Sequence, residues 1–277
     1  MAKIQSNHFH FANAKSDINM TVLNAVMSDF SYSKHAHEEL ALGVTTGGIQ
    51  EFSCNGSEFR SSPGNIILFN PGDVHNGNPG NDNTLKYTML YLDPKDFYPL
   101  LGSATALNKT EFRLSENHFT DNILQSLILK TSQLVDETGH SSLEYEHSLY
   151  KIAQRIAQRM GIFRPDSWIS NKDTLLLKAT EYIHDNITED ISINDLSMVA
   201  NISKYHFIRL FRSQFGLTPH QYILNHKINR VKDALGTNES LSHIAQDFGF
   251  FDVSHLNRHF KRSYGITPKQ YLLQLTK

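Results

Sequence analysis

Two short polar segments of the N-terminal half, HAHEE and PGDVH, contain residues that can bind a ligand or a metal. His35 and His37 are two residues apart, so on a β-strand their side chains would point to the same face. With Glu39 and His75 they would supply three imidazoles and a carboxylate, a ligand set that suits Zn, Fe, Mn or Ni. A catalytic metal, a metal without catalysis and histidines that merely form hydrogen bonds in a strand are all compatible with this pattern.

Charge is divided unequally along the chain, whose net charge is −2. Residues 1–166 contain 13 Lys and Arg against 18 Asp and Glu, whereas residues 167–277 contain 13 against 10. No acidic residue occurs in 196–232 or in 253–277, although both stretches are rich in Lys and Arg. Such stretches favour a polyanionic partner. Solvated helix faces that happen to lack acids are the alternative.

A repeated phrase lies within these basic stretches: FGLTPHQY ends at residue 222 and YGITPKQY ends 49 residues later. Gly216 can take the left-handed conformation that ends a helix. Thr218 can cap the next helix, and Pro219 then occupies its first turn. The second phrase has the same residue types in the same places. Each phrase therefore predicts the end of one helix, a sharp turn and the start of another.

The residues before each phrase predict a short helix, a turn and a second helix, which is the helix-turn-helix pattern, over 193–214 and 241–263. In the first unit, Ser192 and Asp195 resemble a capping box. Ser203 caps the second helix, KYHFIRLFRSQF, which carries an apolar stripe at helical spacing. The segment PHQYILNHKINRVKDAL predicts a continuous connecting helix between the units. A further helix is predicted at about 172–186.

These motifs resemble the AraC/XylS family of bacterial transcription regulators. The matching segments are LSMVANISKYHFIRLFRSQFGLTPHQYILNHKI and IAQDFGFFDVSHLNRHFKRSYGITPKQY, and the resemblance covers about residues 170–275. It implies a DNA-binding domain over 172–277 whose partner is double-stranded promoter or operator DNA. It also implies a homodimer, RNA polymerase as a further partner, and a small-molecule effector.

The candidate DNA contacts lie on the predicted solvent-exposed face of the second helix in each helix-turn-helix unit. Arg209 and Arg258 occupy equivalent places, and each can form two hydrogen bonds with a guanine. Asn257 can read an adenine, and Ile208 can contact a thymine methyl group. The full set of candidate DNA-binding residues is Lys204, Tyr205, Ile208, Arg209, Arg212, Ser254, Asn257, Arg258 and Lys261. Lys204, Arg212 and Lys261, together with Arg262, are expected to hold phosphates, which fix register rather than sequence.

An alternative for Arg209 is an ion pair inside the domain, with Asp195 or Asp233. The connecting helix is expected to hold the two units in a fixed relation. One protomer would then reach two consecutive stretches of major groove, about one turn of DNA apart.

The sequence pattern of the N-terminal half predicts β-structure. Its short strand-like segments are LALGV, IQEFSC, EFRS, IILF and LKYTMLYL, and Gly-containing turn signals separate them. Asn55-Gly56 is the strongest hairpin signal among them. The segments predict a sandwich or a small barrel. With HAHEE and PGDVH, they resemble a cupin barrel, so the predicted fold class is α+β, with a cupin-like β-barrel followed by an all-α domain.

The cupin resemblance is incomplete at the ligand positions. Glu39 follows His37 by two residues, whereas cupin enzymes place the glutamate several residues further on. We therefore expect neither a bound metal nor another cofactor, and we expect no enzymatic activity; a metal-dependent cupin enzyme with a helical appendage is the alternative. The resemblance to sugar-sensing AraC-type regulators implies instead that His35, His37, Glu39 and His75 bind an effector. Tyr87, Tyr91 or Phe69 would contact the effector beside them. Alternatively, the polar and aromatic groups together would close the mouth of the barrel.

Two helical segments are predicted after the strands, at about 116–137 and 142–160. In the second, Leu149, Ile152, Ala153, Ile156 and Met160 form an apolar stripe. The stripe can pack on its own domain or pair with its copy in a dimer.

The chain is predicted to consist of an effector-binding and dimerisation domain over 1–165 and the DNA-binding domain over 172–277. The segment FRPDSWISN, 163–171, reads as the linker. Cys54 is the only cysteine, which excludes an internal disulfide. Without a signal peptide or an apolar run long enough for a bilayer, the expected location is the cytoplasm, with no membrane partner.

Overall fold

In the computed structural model of the chain, strands dominate the described part of the first hundred residues and helices dominate the described residues after them. The structure describes residues 7–14, 18–80, 84–105, 112–136, 142–159, 174–237 and 239–276. Two compact units are present. The first contains residues 1–31, 37–165 and 274–277, and the second contains residues 32–36 and 166–273. The predicted linker at 163–171 lies outside the described residues.

Ten strands form two sheets in the N-terminal half. They are β1 (His8–Asn13), β2 (Met20–Met27), β3 (Tyr32–His35), β4 (Leu40–Gly47), β5 (Gln50–Cys54), β6 (Ser57–Ser61), β7 (Asn65–Phe69), β8 (His75–Pro79), β9 (Leu85–Leu92) and β10 (His118–Thr120). One sheet has the order β1-β2-β9-β4-β7-β10 and the other the order β3-β8-β5-β6. Pairing is antiparallel in β1-β2, β2-β9, β4-β9, β4-β7, β7-β10, β5-β6 and β5-β8.

The prediction of a closed barrel is not met, because neither sheet closes on itself within the described residues. The larger sheet has β1 at one edge and the three-residue β10 at the other. Closure requires the first and last strands to pair. Packing the apolar faces of two open sheets also buries a core, without that pairing.

The five segments predicted as strands are confirmed, and they correspond to β4, β5, β6, β7 and β9. The hairpin at Asn55-Gly56 is confirmed as well, since β5 and β6 pair directly across it, with Cys54 opposite Ser57. Asn55 has φ 50° and Gly56 has φ 86°. Two consecutive positive φ angles are typical of the type I′ turn that matches the twist of a hairpin.

Three helices complete the N-terminal half: α1 (Pro94–Thr105), α2 (Asn122–Asp136) and α3 (Ser142–Arg159). The predicted helical start at about 116 is wrong, because β10 occupies that stretch and pairs with β7. The helix begins only after Asp121, whose carboxylate accepts hydrogen bonds from the backbone N–H groups of Ile123 at 3.1 Å and Leu124 at 3.0 Å. Such a cap fixes the first turn.

Buried ion pairing attaches α3 to the start of α2. The Asp121 side chain is fully buried, and its Oδ2 lies 2.9 Å from Nε of Arg155 and 3.7 Å from a guanidinium nitrogen of Arg159. Burial alone would raise the pKa of Asp121. The hydrogen bonds from Leu124 and Arg155 and the charges of the two arginines outweigh burial and hold that pKa below its usual value.

The apolar stripe of α3 packs within its own unit. Leu149, Ile152, Ala153 and Ile156 are fully buried in the core, and α3 packs against α1 and α2. Met160 lies outside the described residues. A stripe that already forms the core cannot also pair with a second copy, so dimerisation through these four residues is excluded.

The C-terminal unit contains seven helices within its described residues. They are α4 (Thr174–Asp185), α5 (Ile193–Val199), α6 (Lys204–Phe215), α7 (Pro219–Ala234), α8 (Leu241–Asp247), α9 (Val253–Tyr264) and α10 (Pro268–Leu275). Leu196, Phe207 and Phe211 are fully buried in one apolar cluster of this unit. None of the described helices is long and apolar enough to cross a membrane.

The predicted helix ends are confirmed. Ser192 and Asp195 form the capping box of α5, and the side chain of Ser203 caps α6 by accepting from the N–H of His206. Gly216 and its repeat counterpart Gly265 end α6 and α9 with φ 69° and 78°. This left-handed conformation favours glycine because a Cβ would be strained there.

Candidate nucleic-acid interface and ligand site

The outward face of α6 is basic and aromatic. Lys204, Tyr205, Arg209 and Arg212 are exposed, and Ile208 is partly exposed. Tyr205 is the extreme case, with 89% of its surface accessible to solvent. The opposite face packs into the core through Phe207 and Phe211, so these five predicted contact residues point away from the unit.

Arg209 forms no ion pair within residues 174–237 and 239–276, so the predicted alternative is not found there. Asp195 is used locally instead: its Oδ2 accepts a hydrogen bond from Ser192 Oγ at 2.6 Å and another from the Ser192 backbone N–H at 2.9 Å. These bonds lower the pKa of Asp195 below its usual value.

The outward face of α9 is also basic. Ser254, Arg258 and Lys261 are exposed, whereas Leu256 and Phe260 are fully buried on the opposite side. Asn257 is the least exposed of the predicted contacts on this helix. Its Oδ1 is buried and has no hydrogen-bond partner among the described residues. A bidentate contact with adenine uses this oxygen as well as the amide nitrogen, so it would require the side chain to turn.

The connecting helix α7 packs against the helices on both sides of it, α6 and α9. A buried hydrogen bond joins α7 to α9, because the hydroxyl of Tyr264 donates to Asn229 Oδ1 at 3.0 Å. Ile228 and Val231 of α7 are fully or almost fully buried. These contacts fix α7 relative to its neighbours.

Two histidines stack where α4 meets α7. The rings of His184 and His226 lie 4.2 Å apart between centroids, with an interplanar angle of 19°. Burial, then His184 and Arg230, lower the pKa of His226 to about 4. The pKa of His184 is lowered as well, first by burial. Neither imidazole therefore carries a charge at neutral pH.

The stacked histidines predict an acid-sensitive C-terminal unit. The pKa of His226 is about 4 in the folded chain and about 6.5 when unfolded, so the unfolded state binds more protons between these values. Stability is therefore lost as the pH falls below about 6.5. For His226 the expected loss at pH 5 is about 2 kcal/mol. Urea unfolding at pH 7 and pH 5, followed by hydrogen exchange in α4 and α7, measures it.

His226→Gln removes the titrating group, so this variant should lose correspondingly less stability between the two pH values. His206→Gln, which changes an exposed histidine outside the stack in the same way, is the matched control for the substitution. Equal pH dependence in the wild type and His226→Gln would contradict the prediction.

Two of the predicted histidines, His37 and His75, lie close together in the first unit, on different elements. The strand β3 ends at His35, and His37 follows it in an irregular segment, so the prediction that both lie on one strand is wrong. Both side chains are nevertheless buried, as is His75 at the start of β8. The rings of His37 and His75 lie 5.1 Å apart, and Phe69 stacks on His75 at 3.8 Å. Burial lowers the pKa of His35 to about 4, partly opposed by its hydrogen bond with the Ser33 carbonyl.

The arrangement of these histidines is compatible with metal binding. Donor atoms of His37 and His75 lie within 4.8 Å of each other. Nδ1 of His75 donates to the Asp73 carbonyl oxygen at 2.7 Å, which leaves Nε2 with the lone pair in the neutral ring. A backbone carbonyl commonly orients metal-binding histidines in this way. Glu239, His243 and Asp247 form a second group of possible ligands, but all three are exposed, and such acidic groups are common without a metal.

Glu39 is not part of the histidine group. It lines a separate cavity of about 120 Å³. The other residues around this cavity are Asn13, Ala14, Asn19, Met20, Thr21, Tyr91 and Asp93. The Tyr91 ring also contacts His37 edge-on at 5.0 Å between centroids. Tyr91 therefore adjoins both the cavity and the histidines, and the lining offers carboxylate, amide and hydroxyl groups to a small polar molecule.

A buried carboxylate that the sequence analysis did not single out organises the PGD turn. Asp73 is 2% exposed and forms an ion pair with Arg113. It also accepts hydrogen bonds from Asn55 Nδ2 at 2.9 Å, the Asn70 N–H at 2.9 Å and Asn117 Nδ2 at 3.2 Å. Asp73 thereby fixes the turn that leads into His75. Its position inside PGDVH was the available signal, but three of its partners, Asn55, Arg113 and Asn117, are distant in sequence.

Comparison with known proteins matches each half of the chain to a family. An AraC-like ligand binding domain matches residues 18–151, and a helix-turn-helix domain matches residues 196–274. YbfI of Bacillus subtilis, an HTH-type transcriptional regulator, is 27% identical over 81% of this chain and 81% of its own length. The arabinose operon regulatory protein of Salmonella typhimurium is 24% identical over 78% of this chain and 77% of its own length.

The fold resembles that of ToxT from Vibrio cholerae, with a TM-score of 0.56 over 98% of this chain and 99% of ToxT. The sequences are 16% identical, so this likeness concerns the fold alone. A sheet-rich N-terminal half precedes a helical C-terminal half in this chain, and the two family matches occur in the same order. With its ligand-binding domain, its helix-turn-helix domain and its regulator relatives, the chain belongs to the AraC family of effector-responsive, DNA-binding transcription regulators.

Proposed function

We propose that α6 and α9 are two recognition helices that bind consecutive stretches of major groove in one operator. The observation that carries this proposal is that both helices bury an apolar stripe and expose a basic face, at equivalent places in the repeat. The major groove admits an α-helix, and helix-turn-helix proteins place their second helix there. The two units would be 193–214 and 241–263, within a DNA-binding domain of 172–277.

The side chains on these faces divide by chemistry. Arg209 and Arg258 are exposed and can form bidentate hydrogen bonds with guanine. Ile208 and Tyr205 offer apolar and aromatic surface to base edges. The exposed cations Lys204, Arg212 and Lys261 would bind phosphates, which position the protein without reading sequence. The packing of α7 against both α6 and α9 supports a fixed spacing between the two contacts.

Single alanine substitutions test the assignment of the reading residues. Arg209→Ala and Arg258→Ala should each weaken operator binding by about 1–3 kcal/mol and relax preference at one base pair. The operator is obtained by selecting bound fragments from the protein's own genome. Titration of every single-base variant of that operator then measures affinity and preference for each protein.

Lys261→Ala provides the matched comparison, because it should weaken all sequences alike and reduce the salt dependence of binding. Arg209 and Arg258 variants that bind the operator with unchanged affinity and preference would refute the assignment of the recognition faces.

For the N-terminal domain, 1–165, we propose that a small polar effector binds beside Tyr91. The supporting observations are the cavity lined by Glu39 and Tyr91, and the contact of Tyr91 with the buried His37. His35, His37, Glu39 and His75 remain the proposed ligand-binding residues. A thermal-shift screen of sugars and other small polar molecules, with wild type and Glu39→Gln in parallel, tests this site. A molecule that stabilises both proteins equally would place the effector elsewhere.

Assembly and location belong to the same proposal. The protein would act in the cytoplasm as a homodimer that recruits or contacts RNA polymerase. Its dimer surface would lie outside the buried stripe of α3. The relatives are transcription regulators, which favours this function over a cupin enzyme. Sedimentation of the full-length chain, with and without operator, measures the oligomeric state.

A further inference from the structure

Phe251 is an exposed aromatic residue just before α9. It is 91% exposed, whereas its neighbour Phe250 is 6% exposed and packs edge-on against His255 at 5.6 Å between centroids. Adjacent phenylalanines thus have opposite environments, one inside the unit and one in solvent. A single exposed apolar side chain is common on protein surfaces. The place of this one, directly before the basic helix α9, is what gives it a possible role in DNA binding.

The backbone holds Phe251 in place. Its N–H donates to His255 Nδ1 at 3.3 Å, and the next residue, Asp252, caps α9 by accepting from the His255 N–H at 2.6 Å. Two hydrogen bonds to one residue of the first helical turn therefore fix the orientation of this segment. The phenyl ring projects from an ordered helix start.

This location is the end of a recognition helix that meets base edges. In helix-turn-helix proteins the N-terminal residues of the second helix contact the bases. Arg258, Lys261 and Arg262 of α9 are exposed, and no acidic residue follows Asp252 in the chain. The first repeat has the same combination, with the exposed Tyr205 at the start of α6. An exposed aromatic ring at the start of a helix whose outward face is basic fits a polyanion that also offers apolar groups.

We propose that Phe251 contacts the C5-methyl group of a thymine in the major groove and thereby adds a base preference to the second repeat. This inference rests on the proposed DNA-binding role of α9. The thymine methyl is the apolar feature of the major groove, and phenylalanine is among the side chains that contact it. Because the Phe251 side chain carries no charge, this contact would change sequence preference and leave the salt dependence of binding unchanged.

Replacing thymine by uracil removes only the methyl group, which makes the test specific. Each thymine of the selected operator is replaced in turn, and affinity is measured for wild type and Phe251→Ser. We expect one position at which uracil weakens wild-type binding about three- to tenfold. Phe251→Ser should weaken binding to the thymine operator by a similar factor and abolish the difference between thymine and uracil there.

Leu273→Ser is the matched control, because Leu273 is also an exposed apolar residue, 53% accessible, but lies on α10. It should bind like the wild type. The proposal is overturned if Phe251→Ser keeps every thymine-uracil difference, or if its only effect is loss of a dimer, which would assign the ring to a second copy. Should Arg258→Ala weaken binding while Phe251→Ser does not, the Phe251 contact fails and the DNA-binding role of α9 stands.

Discussion

Replacing Asp73 with alanine is expected to lower the stability of the N-terminal half by about 3–5 kcal/mol, because it breaks a buried ion pair from one side. Arg113 would keep its charge in a largely buried site, since its side chain is 20% exposed. Three asparagine donors would also lose their acceptor. Hydrogen exchange at the amides of β7 and β8 in the full-length protein measures the loss where it occurs.

Glu116→Ala is the control for this prediction. Glu116 is an exposed carboxylate on the segment that also carries Arg113 and Asn117, so its removal should change stability by less than about 0.5 kcal/mol. Asp73→Asn should lower stability by an intermediate amount, because it preserves part of the hydrogen bonding but removes the charge that pairs with Arg113. If Asp73→Ala and Glu116→Ala proved equally mild, the network would not organise the turn before His75.

Replacing Phe260 with alanine should cost the C-terminal unit about 3–5 kcal/mol, since deletion of a buried ring leaves a cavity. Phe260 is fully buried and packs against Tyr264 at 4.6 Å and Tyr271 at 5.7 Å between ring centroids. The loss should speed hydrogen exchange in α9 and reduce operator binding, because the basic face is positioned from this core. Calorimetric unfolding and exchange of the full-length chain measure both effects.

Phe211 tests whether the two repeats are built alike. It lies 49 residues before Phe260 and is also fully buried. Phe211→Ala should therefore destabilise α6 by a similar amount, whereas Leu273→Ala, on an exposed site, should be nearly neutral. A mild Phe260→Ala together with a severe Phe211→Ala would show that the second repeat does not depend on its own core.

Local sequence was sufficient for the helix ends and for one hairpin. Ser203 and Gly216 act through hydrogen bonds and φ angles that involve only residues a few positions away. The same is true of Asn55-Gly56. A stripe of apolar residues likewise determines which face of α6 is wet, because the opposite face must be buried. The exposed cations of the candidate DNA surface were predictable for this reason.

Distant contacts determined the features that the sequence analysis predicted wrongly or left open. The strand β10 replaces the start of a predicted helix because it pairs with β7, about fifty residues earlier in the chain. The stripe of α3 was equally suited to a dimer or to its own core until the packing of α1 and α2 was known. Glu39 and His37 are two residues apart, yet only Glu39 lines the cavity.

The sequence alone determined the repeated helix pattern, its caps, its basic faces and the β character of the first half, because each depends on neighbours within about one helical turn or one hairpin. Tertiary structure decided that the sheets stay open, that Asp73 pairs with Arg113, and that Tyr91 lies between the cavity and the histidines. Those outcomes depend on which strand edges and buried charges meet across the fold. Residues that are close in sequence do not determine which distant strand edges and charges come into contact. The free energy of burying a group depends on what it packs against and not on how far away that group lies along the chain.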